Sequence, residues 1–387
     1  MLFLIRSLHL GGAERQLAAL AAGLDKTRFD VMVCPMYAGG ELEAELRGIA
    51  GVTVTPLNKS GRWDLVRFGR RLLSTVFSFR PHIIHGYMGG ANELALLAGL
   101  MSRSKIVWGI RVSDLDFTRY RKSIGAVFRI GRMLSRMPDL IITNSHRGRD
   151  VHVQSGYASV RMIVIPNGVD TGRFAHTPAA GAAWRARHSL PPGSLIIGYP
   201  ARLDPMKDHE TFLQAAASFR ALRPPVGDDL FVCMGDGDAD YREGLHRLAD
   251  GLGLRERVRW LHGEVDPRGF YSGCDIVTSV SAFGEGFQNI LVEAMACERV
   301  CVATDAGDAR MILGDLGIVV APRDPGALAR AWSGLAVLEA VERRTLGARA
   351  RERVIREYSI ARLVERSQRA FDWIVADQRG SRPPEFH

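Results

Sequence analysis

Phe283-Gly284-Glu285-Gly286-Phe287-Gln288-Asn289-Ile290-Leu291-Val292-Glu293-Ala294-Met295-Ala296-Cys297 is the stretch whose reading decides the fold. Just upstream, residues 274–280 read as a short buried strand followed by small polar residues. Gly284 and Gly286 break regular structure. From Phe287 onward, Ile290, Leu291, Ala294 and Met295 fall at helical spacing, so a buried helix is expected to begin there. Glu285 then lies in the loop at the helix mouth and Glu293 two turns in, roughly 12 Å further along the axis at ~1.5 Å rise per residue. That separation matches the reach of an extended polar ligand with a phosphate near the helix N-terminus, where free N–H groups favour anions. Taken alone, the two glutamates could equally be a helix-start acid and an ordinary surface position. Glu293, however, stands in an apolar run, where a carboxylate without partners is costly.

Outward from this stretch, strand-like and helix-like segments alternate. Residues 2–8, 30–35, 52–57, 82–85, 105–110, 140–143 and 162–165 read as strands in the first half; 195–199, 230–234, 258–261 and 300–304 follow in the second. This βα alternation predicts an α/β protein with doubly wound parallel sheets. A chain of 387 residues suggests two domains. Pro166-Asn167-Gly168-Val169-Asp170 is a sharp stop after a strand, and the Ala-, Pro- and Gly-rich run beyond it reads as a linker. The expected division is a first domain over 1–175, a linker over 176–194, a second domain over 195–359, a last amphipathic helix over 360–378 and a disordered tail over 379–387.

Composition narrows the class. Hydrophobic residues make up 47% and charged residues 24%, as in soluble globular proteins. No apolar run reaches the ~18 residues of a membrane span, and Arg6 interrupts a start that is too short for a signal peptide. The five scattered cysteines sit in apolar runs without a Cys-x2-Cys pair, which points to buried, reduced thiols and a cytoplasmic protein. Charge is uneven. Residues 1–187 carry 26 Lys+Arg against 13 Asp+Glu; residues 188–387 carry 25 against 29. A basic first half is suited to an anionic partner: a phospholipid headgroup, a phosphorylated acceptor or nucleic acid. Two basic amphipathic stretches stand out, 62–80 with Trp63, Phe68 and Phe77, and 117–136 with Phe117 and Phe128. They read either as covering helices with a solvated basic face or as docking elements for anionic lipid. The aromatic–basic interleaving of a nucleic-acid surface is not apparent, so no nucleic-acid partner is expected.

Several loops carry candidate chemistry. His9-Leu10-Gly11-Gly12 turns between a strand and a helix, a geometry that lets backbone N–H groups meet a phosphate or a sugar oxygen. Pro200-Ala201-Arg202-Leu203-Asp204-Pro205-Met206-Lys207-Asp208 places two cations on one strand-to-helix loop, able to converge on a diphosphate. Gly235-Asp236-Gly237 and His262-Gly263-Glu264-Val265 end two further strands. Asp114-Leu115-Asp116 and Asp238-Ala239-Asp240 fit the letters of an Asp-x-Asp metal motif but not its setting, so no metal is expected.

In this order, the motifs resemble the family 4 retaining glycosyltransferases, whose Glu-x7-Glu signature is matched by Glu285 and Glu293 with Glu-Ala-Met-Ala following. The resemblance covers nearly the whole chain and is weakest over 60–135. It implies a GT-B fold: two Rossmann-like doubly wound domains facing across a cleft, with the last helix crossing back to the first. It also implies transfer of a sugar from a nucleotide-diphosphate-sugar, UDP-linked by preference, to an acceptor hydroxyl with retention and without cofactor or metal. In this reading Arg202 and Lys207 bind the diphosphate, Glu285 approaches the donor sugar and Glu293 holds the ribose. Gly286, Phe287, Gln288 and Asn289 form the helix mouth, Gly12 lies over the diphosphate, and Gly235 and Val265 frame the base. The acceptor would be a glycan or lipid-linked molecule, and the protein cytoplasmic or peripheral on the inner face of the plasma membrane. Many members carry a His where this chain has Arg111; Arg111, or alternatively His85, is the expected acceptor-side residue. Ala201 and Cys297-Glu298-Arg299-Val300 also depart from the family pattern. The rival readings are a non-catalytic basic module for membrane or nucleic acid, and another GT-B enzyme such as a nucleotide-sugar epimerase.

Overall fold

In the computed structural model, which describes residues 1–61, 63–111, 113, 122–222, 229–376 and 383–386, strands and helices alternate into two parallel sheets. Each sheet belongs to its own compact unit: Met1–Gly168 with Ile360–His387, and Val169–Ser359.

The first sheet comprises β1 (Leu2–Ile5), β2 (Val31–Pro35), β3 (Val52–Val54), β4 (Ile83–Tyr87), β5 (Lys105–Ile110), β6 (Leu140–Thr143) and β7 (Met162–Val164), in the order β3-β2-β1-β4-β5-β6-β7. Its central strands are apolar almost throughout because both faces are covered. Phe3, Ile5, Val107 and Ile142 face the helices Gly12–Gly23 and Ile360–Val375. On the opposite face, Leu2, Leu4 and Ile84 meet the helices Val66–Phe79 and Ala91–Ser102. Ile106 is the register partner of Ile84, so Ile106 and Trp108 share that face and pack with Phe128 and Leu134 of the helix Lys122–Leu134.

The second sheet comprises β8 (Ile196–Pro200), β9 (Leu230–Met234), β10 (Val258–Leu261), β11 (Ile276–Ser279), β12 (Val300–Thr304) and β13 (Gly317–Val320), in the order β10-β9-β8-β11-β12-β13. Strand order reverses between β1 and β4 in one sheet and between β8 and β11 in the other. In doubly wound sheets ligands bind outside the carboxyl ends of the strands at such a switch point.

Several expectations need correction. The first unit ends at Gly168, and 176–194 is no bare linker. It carries the helix Pro178–Arg187, docked in the second unit by the buried Trp184, whose ring meets Phe270 edge-on at 5.4 Å. Alanine-rich composition suggested a linker, but alanine is also the strongest helix former, and Pro178 sits at the helix start where its missing N–H does no harm. The edge strand β13 was not anticipated; its residues are only half-buried. Of the aromatics read as membrane-facing, Phe68 is a core residue and Phe128 packs on Tyr157 at 5.1 Å, whereas Trp63 and Phe77 are exposed. Arg62, Asp114, Asp116, Phe117, Arg119 and Arg121 lie outside the described residues, as do 377–382 and 387 of the expected tail. Within that tail, Phe386 packs against the first core, with the Arg369 guanidinium 5.2 Å from its ring. All five cysteines are buried and free, and burial pushes the Cys34 thiol up to about 12.

Candidate functional site

At the switch point of the second sheet the loops after β8 and β11 are tied together. The amide of Ala282 donates to the carbonyl of Met206 at 2.9 Å. Asp204 caps the short turn Pro205–Lys207 by accepting from the amide of Met206 at 2.9 Å. Asp208 takes the left-handed conformation and caps the next helix, His209–Leu222, through Thr211. The buried Tyr199 hydroxyl donates to the Lys207 carbonyl. Tyr199 lies tilted against His209 at 4.7 Å, and burial lowers the His209 pKa to about 3, with nearby Lys207 contributing in the same direction. That imidazole is a neutral support for the loop.

This scaffold presents Lys207, whose ammonium donates to Glu285 Oε1; the two side chains are only 16% and 10% exposed. Ser281 Oγ donates to the same carboxylate oxygen at 2.5 Å. Arg202 is exposed and pairs with Asp204 at 2.8 Å. Both cations of the loop therefore face an acid already. The loop therefore carries no surplus positive charge, and an anion reaching either cation has to exchange with its carboxylate.

The helix after Glu285 begins at Asn289, not Phe287, and runs Asn289–Ala296. Gln288 is the cause. Its side chain is buried and donates to the Ala306 carbonyl at 2.8 Å, which holds residue 288 in an extended conformation. Phe287 is likewise buried, edge-on to Tyr358 at 5.5 Å. Phe287 and Gln288 can therefore offer a ligand their backbone, not their side chains. Glu293 stands about one turn into the helix instead of two. Its Oε2 accepts from the buried Tyr271 hydroxyl at 2.7 Å. Burial, and then the neighbouring carboxylate, push the Tyr271 pKa well up, so it stays a donor. The apolar-run argument for Glu293 predicted a partner without saying which.

Two glycines are needed for close approach. Gly307 has φ +59, and a Cβ there would lie 2.3 Å from the Gly286 carbonyl oxygen, so the loop after β12 can press directly on the Glu285–Gly286 segment. Asp308 completes that contact through its amide, 3.0 Å from the same oxygen. A Cβ on Gly235 would fall 2.2 Å from the Ala201 carbonyl oxygen, which brings the end of β9 onto the Arg202 loop. Asp236 ties this end to the next loop, accepting from the Gly263 amide at 2.9 Å and pairing with His262 at 2.6 Å. Val265 follows there, 71% exposed. Thus Arg202, Lys207, Glu285, Gly286 and Gly235 stand on adjoining loops of the second unit, with Asn289 and Glu293 on the helix that follows. Sequence reading missed Ser281, Tyr271 and Gly307. Ser281 had a weak signal as a small polar residue just past a strand, and Gly307 one as a glycine in the turn after the 300–304 strand; Tyr271 had none, because its role depends on which elements pack together.

In the first unit, Gly12 opens the helix Gly12–Gly23 after an extended Gly11. Arg111 follows β5 and is held at the carboxyl edge of the sheet. It donates to Asn167 Oδ1 at 2.9 Å and to the Tyr87 hydroxyl at 3.0 Å, with its guanidinium 4.8 Å from the Tyr87 ring. His85 is fully enclosed among Phe3, Tyr87 and Phe371, and burial holds its pKa well below the usual range. It is a neutral core ring, not a residue an acceptor can reach.

Family models match both halves of the chain, "Glycosyltransferase Family 4" over residues 10–173 and "Glycosyl transferases group 1" over residues 194–336. This chain belongs to the group 1, family 4 glycosyltransferases. The chain is 31% identical over 233 residues to the D-inositol 3-phosphate glycosyltransferase of Salinispora tropica, covering 57% of this chain and 47% of that protein. It is 30% identical over 227 residues to the corresponding protein of Stackebrandtia nassauensis, covering 56% and 50%. The match thus spans about half the length of these curated relatives. Among solved structures, Anabaena HepE in complex with UDP has a TM-score of 0.79 at 23% identity, covering 96% of this chain and 99% of that one. A Rickettsia africae glycosyltransferase has a TM-score of 0.81 at 17% identity, covering 97% and 98%. These likenesses establish the GT-B fold class with its two Rossmann-like domains. Among the described residues, no three His, Cys, Asp or Glu side chains gather as a metal site would require.

Proposed function

We propose that this glycosyltransferase moves a hexosyl group from a nucleotide-diphosphate-sugar to an acceptor hydroxyl with retention at the anomeric carbon. The observation that carries the reading is the Lys207–Glu285 pair, bound by Ser281 at the second switch point, with Arg202 on the same loop and Glu293 on the helix beyond. In the reaction the bond from the anomeric carbon to the β-phosphate oxygen breaks and a bond to the acceptor oxygen forms on the same face. The acceptor proton passes to an oxygen of the departing diphosphate. Arg202, Lys207 and the N-terminus of the Asn289–Ala296 helix stabilise the charge that develops there. Gly235 and Val265 border the base, and Arg111 serves the acceptor side. UDP-sugars are the first donors to test, since HepE structures of this fold hold UDP or UDP-glucose. The acceptor is a glycan or lipid-linked molecule of cell-envelope or exopolysaccharide assembly. A phosphorylated acceptor, such as the relatives' names specify, also suits the basic first half. The enzyme works in the cytoplasm, peripheral to the inner face of the plasma membrane; no described helix is long and apolar enough to cross one.

A thermal-shift panel of UDP-, GDP- and ADP-sugars, followed by assay of sugar transfer, tests the donor reading. No shift with any of them would remove it. Glu293→Gln is expected to weaken binding of the free nucleoside diphosphate about tenfold, as for one lost charge-assisted hydrogen bond to the ribose. Unchanged affinity in calorimetry would take the ribose role from Glu293. The reaction is also expected to persist in EDTA, because in this reading Arg202 and Lys207 neutralise the leaving group in place of a metal. Loss of activity restored by Mg²⁺ or Mn²⁺ would overturn that point.

A further inference from the structure

Ten of the nineteen exposed large apolar side chains among the described residues fall between 63 and 137, about a fifth of the chain. They lie on or beside the helices Val66–Phe79, Ala91–Ser102 and Lys122–Leu134, which all cover the same face of the first sheet. Their inner sides are committed to the core through Phe68 and Leu72, through Ala91, Ala95 and Ala98, and through Phe128 and Leu134. The apolar residues in question are on the outer sides. Val66 and Phe77 project from the first helix, beside exposed Arg67 and Arg70. Leu97 and Leu100, three residues apart on the second, point outward just before exposed Arg103. Ile130 and Met133 repeat that spacing on the third, interleaved with exposed Arg129 and Arg132.

The sequences of the first and third helices contain no acid. The second has only Glu93, which turns back to accept from the Gly90 amide at its own N-terminus. At the far ends of the first two helices, where this face meets the end of the sheet, a groove of ≈ 610 Å³ is lined by Phe77, Arg80, Arg103 and Lys105, with Val375 of the helix Ile360–Val375 on its other side. Among the described residues, an outer surface of aliphatic pairs between arginines, on helices whose one carboxylate turns back to its own N-terminus, is poorly matched to water. It differs from a nucleic-acid surface, which would interleave aromatics for base stacking. It has the composition of a face that lies at a lipid headgroup boundary, with aliphatic tips inserted and cations at the phosphates.

We propose that this three-helix face of the first unit docks on an anionic bilayer, with Leu97, Leu100, Ile130 and Met133 as the inserted side chains and the groove between Arg80 and Lys105 as a headgroup phosphate site. The inference rests on the peripheral-membrane reading above and is independent of the transfer chemistry. It adds the Ala91–Ser102 helix, which sequence alone did not single out as a docking element.

The test is co-sedimentation of the full chain with phosphatidylcholine vesicles, with and without phosphatidylglycerol, at ~0.1 M and ~0.5 M salt. Binding is expected to the anionic vesicles, weakened by salt, and little to neutral ones. The double variant Leu100→Glu, Met133→Glu is expected to lower the vesicle-bound fraction about tenfold or more, with its thermal shift on nucleotide unchanged. A second, milder double variant, Arg129→Gln with Arg132→Gln, should also lower binding and keeps the test valid if the first misfolds. No sedimentation of the parent at low salt would overturn the membrane reading itself. Sedimentation of the parent with both folded double variants binding as well as the parent would overturn this face while leaving that reading intact. Loss in the arginine variant but not in a folded glutamate variant would overturn the insertion and leave electrostatic adsorption.

Discussion

Replacing Lys207 by Ala is expected to lower turnover at saturating donor by about 10²-fold, as removal of a group that stabilises developing charge does elsewhere. Lys207 is 16% exposed and paired with Glu285, so its charge acts across a partly dehydrated site where screening by water is weak. A donor diphosphate offers this ammonium more negative charge than one carboxylate does, and the charge on the leaving oxygen rises through the transition state. The effect should therefore appear in kcat and not only in donor affinity. Arg202→Ala is expected to give a comparable loss. Its guanidinium is exposed and paired with Asp204, and its planar fork can turn to two phosphate oxygens. Turnover near that of the parent in both single variants, at saturating donor, would remove the diphosphate assignment. If Lys207→Ala lowered thermal stability but left kcat intact, Lys207 would be only a staple for the loop after β11.

Glu285→Gln is expected to reduce turnover to a similar extent, about 10²-fold, while changing nucleotide affinity less. The substitution keeps the shape and the hydrogen bond from Ser281 but removes the charge that faces Lys207. Two roles are separable by a double-mutant cycle. If Glu285 acts on the donor sugar, the double variant with Lys207→Ala should be slower than either single one. If it only positions the ammonium, the double variant should be no slower than Lys207→Ala alone, because neighbouring residues acting as one unit are not additive. Turnover within about threefold of the parent for Glu285→Gln would exclude both.

The linear sequence by itself determined the α/β class, the parallel sheets and most of their strands. Buried parallel strands are apolar along nearly all their length, so 105–110, 140–143, 230–234 and 300–304 could be bounded to the residue. It also supplied the residue types of the candidate donor site, since Arg202, Lys207, Glu285 and Glu293 sit at fixed offsets from strand ends and a helix start. Tertiary structure decided everything that depends on what packs against what. The half-buried edge strand β13 lacks the continuous apolar run that marks a buried one. The 178–187 helix is defined by the pocket that receives Trp184, not by its alanines. Gln288 delays the start of the next helix by reaching a carbonyl eighteen residues away, a contact no local pattern contains. Phe68 and Phe77 look alike on one basic helix, yet one is core and the other exposed, because only the position of the sheet fixes which side is inner. The two cations of the donor loop read as free charge in the sequence. In the folded chain each meets a carboxylate, one of them seventy-eight residues away, because the reversal of strand order between β8 and β11 brings the two loops side by side.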